Sequence, residues 1–274
     1  MYRPLKDMRV LITGASSGIG WHLALELIRS GAVVLATARR RERLEELAQV
    51  VDEKSADDSG RLEILAGDLT SPDTRQQLLD QVTRSWNGLD ILINNAGAGA
   101  VGRFGDASPE RLREVMEIDF FAPVELSRLA LPLLQRGRKP AILLIGSVLG
   151  HRAVPGKSEY CAAKFALRGW GEAIRCELQP QGIDVIMLSP STTRSEFFER
   201  LIDTPANVHS TNLGSMPPEK VARAARLALQ RNSRDIILSA GGKSLVWAGR
   251  FFPRIVDRVL ARYGQPKASP PKFK

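Results

Sequence analysis

Short runs of aliphatic and β-branched residues alternate along the chain with longer segments whose apolar positions recur every three or four residues. The short runs are typical of strands buried on both faces, and the longer segments are typical of amphipathic helices packed against them. A chain that alternates strand and helix in this way predicts an α/β fold, namely a single doubly wound domain with a mainly parallel sheet flanked by helices.

The pattern predicts seven strands and six helices before residue 240. The strands, all expected to be buried on both faces, cover residues 10–13, 33–37, 62–66, 91–94, 141–145, 184–188 and 235–238. The helices cover 18–30, 41–51, 73–86, 109–135, 159–179 and 218–231. Segment 190–217 contains at most one short helix, over 196–202. Because it follows a strand at its carboxyl end, we interpret it as a substrate lid.

The C-terminal part of the chain differs from the rest in charge. The last 32 residues of the chain contain eight basic residues and one acidic residue, whereas the other 242 residues are nearly neutral. A helix beginning near Pro253 would carry apolar residues on one side and Arg254, Arg258 and Arg262 on another. We therefore divide the chain into a domain over 1–242, including the lid, and a basic amphipathic extension over 243–274. The extension could lie on an anionic membrane, pack against another subunit or pack within the chain.

Composition narrows the class of protein. A chain of 274 residues with 43% hydrophobic content can bury a core of its own, which excludes intrinsic disorder. Two cysteines exclude a disulfide framework, and the three histidines lack metal-ligand spacing, so we expect no metal site. The nearly neutral main body predicts no nucleic-acid partner. The N-terminus lacks the apolar core of a signal peptide, and we expect a cytoplasmic protein.

A glycine-rich turn joins the first strand to the first helix. Gly14 would allow a tight turn, Gly18 would let the backbone approach a pyrophosphate, and Gly20 would permit close packing of helix on strand. The segment therefore predicts a dinucleotide site that includes Gly14, Ser16, Ser17, Gly18, Ile19 and Gly20.

The end of the second strand indicates which dinucleotide is bound. An acid there would accept the ribose hydroxyl of NAD and repel a phosphate, but the chain has Ala38 followed by Arg39. Arg39 offers a bidentate donor to phosphate, which favours NADP(H) over NAD(H). Beyond the third strand, Asp68 and Leu69 are candidates for the adenine site. Beyond the fourth, Asn95, Ala96 and Gly97 are candidates for approach to the cofactor ribose.

Three residues form a candidate catalytic group. Tyr160 and Lys164 are four residues apart and share a helix face, so the ammonium is expected to lower the pKa of the phenol. A phenol tuned towards neutrality can serve as a general acid or base. Ser147, just beyond the fifth strand, could donate a hydrogen bond to a substrate oxygen.

Taken together, these segments resemble the short-chain dehydrogenase/reductase family, on the strength of TGASSGIG, NNAG, a strand-end serine and YCAAK in this order. The resemblance covers roughly residues 9–195. It implies a Rossmann-like sheet and NAD(P)-dependent hydride transfer between an alcohol and a carbonyl. It also implies that Tyr160 transfers the proton, Lys164 binds the nicotinamide ribose, and Ser147 holds the substrate oxygen. Pro190 and Thr193 would lie near the nicotinamide carboxamide.

The chain departs from the family pattern at two positions. Where the family has an asparagine that supports a proton relay, this chain has Asp119, which keeps the acceptor and adds a charge. We include Asp119 among the catalytic candidates and expect its charge to oppose ionisation of Tyr160. Ser191 stands where the family has glycine, and a positive φ there would strain it.

The sequence thus predicts an NADP(H)-dependent oxidoreductase acting on a ketone, an aldehyde or a secondary alcohol, with a homo-oligomeric assembly expected. A non-catalytic NADP-binding scaffold or sensor with the same fold is the alternative, and Asp119 keeps it open. In a third interpretation the basic extension makes the protein a membrane-surface adaptor.

Overall fold

The computed structural model describes residues 2–54, 60–194, 196, 201–203 and 215–263. The described strands form one seven-stranded parallel sheet in the order β3-β2-β1-β4-β5-β6-β7. They are β1 Arg9–Thr13, β2 Val33–Ala38, β3 Arg61–Ala66, β4 Ile91–Asn94, β5 Ala141–Ile145, β6 Asp184–Ser189 and β7 Asp235–Ile237. The predicted fold class is confirmed.

Helices cover both faces of the sheet. Apolar side chains of α1, α2 and α7 fill the core on one face, and those of α3, α5 and α6 fill it on the other. The helices are α1 Gly18–Arg29, α2 Arg41–Lys54, α3 Pro72–Trp86, α4 Pro109–Met116, α5 Ala122–Leu134, α6 Ser158–Leu178, α7 Pro218–Arg231, α8 Ala240–Phe251 and α9 Pro253–Tyr263. The expectation that every strand is buried on both faces is wrong for β3 and β7, because they are the edge strands and are only partly covered.

The long helix predicted over 109–135 contains an irregularity that the sequence pattern did not reveal. Between α4 and α5 the residues Glu117–Phe121 form a π-helical turn. Pro123 has no N–H and its ring crowds the carbonyl four residues earlier, which is that of Asp119, so regular α-helical bonding is blocked there. Such turns are common at functional sites. This turn directs the Asp119 side chain into the protein interior.

The C-terminal region contains one unpredicted helix and one predicted helix. Helix α8 was not foreseen, because its three glycines weaken the helical signal. Helix α9 begins at Pro253 as expected. The boundary drawn between residues 242 and 243 falls inside α8 and remains a prediction. The short helix predicted over 196–202 falls largely outside the described residues.

The order of the strands reverses at β1, which pairs with both β2 and β4. In open parallel sheets, ligands bind in the crevice beyond the carboxyl ends of the strands at such a point. The glycine-rich turn follows β1 and the NNAG segment follows β4, so both lie at this crevice.

Candidate active site

The glycine-rich turn has the backbone that its sequence predicts. Gly14 and Gly18 have φ angles of +70° and +56°, which side chains other than glycine rarely adopt. At Gly20 a Cβ atom would lie 2.3 Å from the carbonyl oxygen of Gly14, so only glycine permits this contact between helix and turn. The turn leads directly into α1, whose N-terminal N–H groups suit a phosphate.

Asn95 holds this turn in place. Its side-chain amide donates hydrogen bonds to the carbonyl oxygens of Thr13, at 2.9 Å, and of Gly14, at 3.1 Å. The backbone N–H groups of Asn95 and Ala96 both donate to the Thr13 hydroxyl at 3.0 Å. The end of β4 is thereby fastened to the end of β1. Asn95 thus holds the glycine-rich turn, a role that the strand-end location alone did not specify.

Two adjacent arginines follow β2 and differ in their surroundings. Arg39 is exposed and has no hydrogen-bond acceptor among the described residues. Arg40 donates to the Ser16 hydroxyl at 3.1 Å and pairs with Glu196 of the lid segment at 2.7 Å. The sequence analysis assigned no role to Arg40. Its contact with the glycine-rich turn was missed because no local pattern indicates it.

Tyr160 and its neighbours meet at the other end of the crevice. Ser147 caps the 3₁₀ turn Val148–Gly150 and accepts a hydrogen bond from the N–H of Leu149 at 3.1 Å, so its own proton is available to another acceptor. The Lys164 ammonium lies 5.6 Å from the centre of the Tyr160 ring. Ser147 also forms a side-chain hydrogen bond with Tyr160.

The expectation that the pKa of Tyr160 is lowered is wrong. Burial raises the pKa of the phenol above its usual value, the negative charge of Asp119 raises it further, and the hydrogen bond with Ser147 lowers it only in part. The Lys164 ammonium lies 3.5 Å from Asp119, so much of its charge is balanced by that carboxylate. Burial and Asp119 therefore both favour the protonated form of the phenol.

Asp119 is completely buried. Its Oδ1 atom accepts a hydrogen bond from the N–H of Ala98 at 3.0 Å and faces Lys164, while Oδ2 has no partner among the described residues. Burial raises the pKa of the Asp119 carboxyl above its usual value, although Lys164 and the Ala98 N–H favour the ionised form. Gly97 is required beside it, because a Cβ there would lie 2.5 Å from Oδ1.

A single cavity of about 730 Å³ joins the glycine-rich turn to Tyr160. Its size suits a dinucleotide with a small substrate. The predicted residues that line it are Gly14, Ser16, Ser17, Gly18, Ile19, Arg39, Asp68, Leu69, Asn95, Ala96, Gly97, Ser147, Tyr160, Lys164, Pro190 and Thr193. Gly20 and Asp119 were also predicted site residues, but both are buried and neither lines the cavity.

Comparison with known proteins identifies the family. The model of the family described as short chain dehydrogenase matches residues 8–206. The chain belongs to the short-chain dehydrogenase/reductase family. It is an oxidoreductase of the class that acts on CH–OH groups, as the sequence predicted.

Relatives and solved structures agree with this assignment. The chain is 32% identical to the uncharacterized oxidoreductase YxnA of Bacillus subtilis over 95% of its own length and 73% of the relative. It is 28% identical to dehydrogenase/reductase SDR family member 7B of Bos taurus, over 94% and 81% of the two chains. A short-chain dehydrogenase from Sphingobium yanoikuyae, solved in complex with NADPH, has a TM-score of 0.75 and 28% identity over 97% and 99% of the chains.

One expectation about this short-chain dehydrogenase/reductase is corrected by its loops. Ser191 is not among the residues with positive φ, so serine is accommodated there without the anticipated strain. His151, which lies between Ser147 and Tyr160 in the chain, contacts the Ser189 hydroxyl at 2.9 Å and lines a different cavity. Thr193 is held by a parallel bridge to Met216, which keeps it on the cavity wall.

The sequence also missed several cavity residues. The residues Ser239, Gly241 and Leu245 of the α8 region line the cavity, as do Leu201 of the lid segment and Val154 of the loop before α6. They are brought to the site by tertiary packing, and no motif marks them. Leu201, Leu245 and Val154 give part of this cavity an apolar wall.

Proposed function

We propose that this protein is an NADP(H)-dependent carbonyl reductase that uses Tyr160 as its general acid. One observation carries the proposal. The Tyr160 phenol lies beside Ser147 and Lys164 on the wall of a cavity large enough for a dinucleotide and a substrate, and burial raises the pKa of this phenol. A protonated phenol is the form required to reduce a ketone or aldehyde, whereas oxidation of an alcohol requires the phenolate.

The residues present fit NADP(H). The left-handed glycines let the backbone approach a pyrophosphate, and no carboxylate ends β2 to repel a ribose phosphate. Arg39 is exposed at the cavity and offers a planar pair of donors to that phosphate. The neighbouring carboxylate of Glu196 is paired with Arg40, which limits its repulsion of a phosphate. When bound, the reduced nicotinamide supplies a hydride to the carbonyl carbon.

Side chains of the protein bind the substrate oxygen and supply the proton that it receives. The Ser147 hydroxyl, whose oxygen already accepts from Leu149, donates to the substrate oxygen and stabilises the charge that develops there. Tyr160 then gives its proton to the same oxygen, so a carbonyl becomes an alcohol. The Lys164 ammonium favours the resulting phenolate and is held in place by Asp119. The apolar side chains on the wall suit the hydrocarbon part of the substrate.

The test uses purified protein, NADPH and a panel of ketones and aldehydes of increasing chain length, with loss of NADPH absorbance as the measurement. We expect turnover with at least one apolar carbonyl, and slower turnover with NADH. Tyr160→Phe should abolish turnover and leave NADPH affinity within a few-fold, because only the ionisable group is removed. NADPH binding without turnover of any carbonyl would favour the scaffold alternative, and unchanged turnover in Tyr160→Phe would remove that residue from the mechanism.

We also propose a cytoplasmic location and a homo-oligomeric assembly. Exposed apolar side chains on α4, on the π-helical turn and on α6, namely Leu112, Phe121 and Phe165, support the assembly. Sedimentation equilibrium of the full chain measures its mass in solution. A monomer at micromolar concentration would contradict the second proposal.

A further inference from the structure

The helical hairpin formed by α8 and α9 exposes large apolar side chains that the domain does not cover. We define the C-terminal face as Trp247, Phe251, Phe252, Ile255 and Val259, whose exposed fractions lie between 47% and 63%. Trp247 and Phe251 stack with ring centres 5.5 Å apart. A soluble surface seldom groups so many large apolar side chains within thirteen consecutive residues, and such groups usually mark an interaction site.

The same hairpin is strongly basic. Between residues 240 and 263 it has five basic residues, all exposed, and one acidic residue. The acid, Asp257, forms an ion pair with Arg152 of the main domain. The positive charge of the hairpin is therefore not balanced within it. The five basic residues are Lys243, Arg250, Arg254, Arg258 and Arg262.

A cleft beside the C-terminal face, between α8 and the main domain, is also lined by basic side chains. It is lined by four basic residues and the acid Asp235. Arg152 is paired with Asp257 and Arg168 with Glu172, so Lys243 and Arg250 supply most of the positive charge of the cleft. Trp247 belongs to both the cleft and the C-terminal face. Cationic side chains next to an exposed tryptophan suit a phosphate headgroup at the boundary between water and hydrocarbon.

The apolar side chains and the positive charge together distinguish between possible binding partners of the C-terminal face. A second copy related by a two-fold axis would bring the same patch against itself and set arginines against arginines. An anionic bilayer offers apolar chains to the aromatic residues and negative headgroups to the arginines. We propose that the α8–α9 hairpin docks this protein on the surface of membranes that contain anionic phospholipid.

The dimensions of the hairpin agree with surface docking. No helix among the described residues is long and apolar enough to cross a membrane. A helix with a basic side and an apolar side lies in the interface, with its apolar side chains inserted beneath the headgroups. The first half of α8 lines the dinucleotide cavity through Gly241 and Leu245. Docking would therefore hold the catalytic cavity close to the bilayer.

The experiment measures co-sedimentation of the full chain with two kinds of vesicle. One kind contains phosphatidylcholine alone, and the other contains equal parts of phosphatidylcholine and phosphatidylglycerol. We expect binding to the anionic vesicles only, with affinity that falls as salt is added. Absence of binding to both kinds would overturn the proposal.

Three double variants identify the surface responsible. Phe251→Ser with Ile255→Ser removes apolar contacts, and Arg254→Glu with Arg258→Glu reverses charges, so each should weaken vesicle binding about tenfold or more. Arg84→Glu with Arg113→Glu makes the same charge change at exposed positions of α3 and α4 and serves as the control. Equal binding by all three variants would also overturn the proposal.

The mass in solution and the folding of the wild type and of each variant are measured in parallel with vesicle binding. Circular dichroism and the Tm of each variant establish that it is folded, independently of any enzymatic activity. If the wild type remains in solution as a dimer and Phe251→Ser with Ile255→Ser makes it monomeric, the C-terminal face is a subunit interface and the proposal is wrong.

Discussion

The carboxylate of Asp119 and the ammonium of Lys164 form a buried ion pair with an oxygen-to-nitrogen distance of 3.5 Å. The π-helical turn aims Asp119 at this contact, and the N–H of Ala98 supports the same oxygen. Lys164 therefore acts on Tyr160 with a partly balanced charge. This geometry favours the protonated phenol, which supports the proposed reduction of a carbonyl.

Replacing Asp119 with asparagine should change the pH dependence of alcohol oxidation. Asp119 raises the pKa of Tyr160, so its removal lowers that pKa and makes the phenolate available at lower pH. We expect the rising limb of kcat/KM for oxidation to move to lower pH by about one unit in Asp119→Asn. The measurement is kcat/KM against pH for oxidation of the alcohol product of any carbonyl that the protein reduces.

Glu117→Gln provides the control for this prediction, because it removes a carboxylate from the same π-helical turn at a position that is not fully buried. Its oxidation profile should match that of the wild type. Superimposable profiles for Asp119→Asn and the wild type would show that Asp119 is protonated or too well screened to act on Tyr160.

Arg39→Asp should weaken NADP(H) binding far more than NAD(H) binding. The change removes an exposed phosphate donor from the cavity and adds a like charge beside a phosphate. We expect the Kd for NADPH to rise by about a hundredfold, since charge-assisted contacts to phosphate are each worth about 1.5–3 kcal/mol. Fluorescence titration with NADPH and NADH measures the effect.

Arg41→Asp is the matched control for the cofactor prediction. Arg41→Asp makes the same charge change two residues further along the chain. The Arg41 side chain does not line the cavity and is two-thirds exposed. It should alter NADPH affinity by only a few-fold. A wild type that binds NADH as tightly as NADPH would show that the Arg39 assignment is wrong.

The sequence predicted the sheet and most of the cavity wall because those features depend on local pattern. The alternation of buried strands and amphipathic helices requires only neighbouring residues, and the position of Gly14 and Gly18 between a strand and a helix indicates a tight turn. The opposing effect of Asp119 on Tyr160 was predicted correctly, but the overall direction of the Tyr160 pKa shift was wrong because burial is its largest cause. Spacing along one helix does not reveal how deeply a side chain is buried.

Arg40 illustrates a second limit. It is one residue from Arg39 and chemically identical to it, yet only Arg40 reaches Ser16 and Glu196. Which of two adjacent arginines contacts the glycine-rich turn depends on the path of the backbone after β2 and on the lid segment. The cavity contacts of α8 were missed for a related reason, since they are formed by tertiary packing.

The ion pair between Arg111 and Glu159 is expected to couple stability to catalysis. Arg111 of α4 donates to Glu159 of α6 at 2.8 Å, and both side chains are almost completely buried. Glu159 immediately precedes Tyr160, so the pair anchors the first turn of the catalytic helix. Glu159→Gln should lower the free energy of unfolding by about 3 kcal/mol and should also lower kcat, because it leaves a buried guanidinium without its counter-ion.

A double-mutant cycle separates the energy of the ion pair from the effects of the two individual substitutions. Arg111→Met should also destabilise the protein, but Arg111→Met combined with Glu159→Gln should recover much of the loss, since no unpaired charge remains. Urea unfolding of the four proteins gives the coupling free energy. Strictly additive losses would show that the two side chains do not stabilise each other.

Asp90 should make stability depend on pH in the acidic range. Its carboxylate is fully buried and accepts hydrogen bonds from the backbone N–H and guanidinium of Arg9 and from the N–H of Arg138, so it joins β1, β4 and the loop before β5. Burial alone would raise the pKa of Asp90, but these donors outweigh it and hold the pKa below the usual value. The stabilisation is therefore fully present above the unfolded-state pKa of about 4, and it is lost as the pH falls through the lower pKa of the folded state.

Asp90→Asn should accordingly cost about 3 kcal/mol of unfolding free energy at neutral pH, and the gap from the wild type should narrow as the pH falls below about 4. Urea unfolding at a series of pH values measures the gap. Asp80→Asn, at a carboxylate on α3 whose hydrogen bond to Gln76 is exposed, should give a small difference at every pH. A gap for Asp90→Asn that stays constant down to strongly acidic pH would mean that its stabilisation comes from packing and hydrogen-bond geometry, with no contribution from the ionised carboxylate.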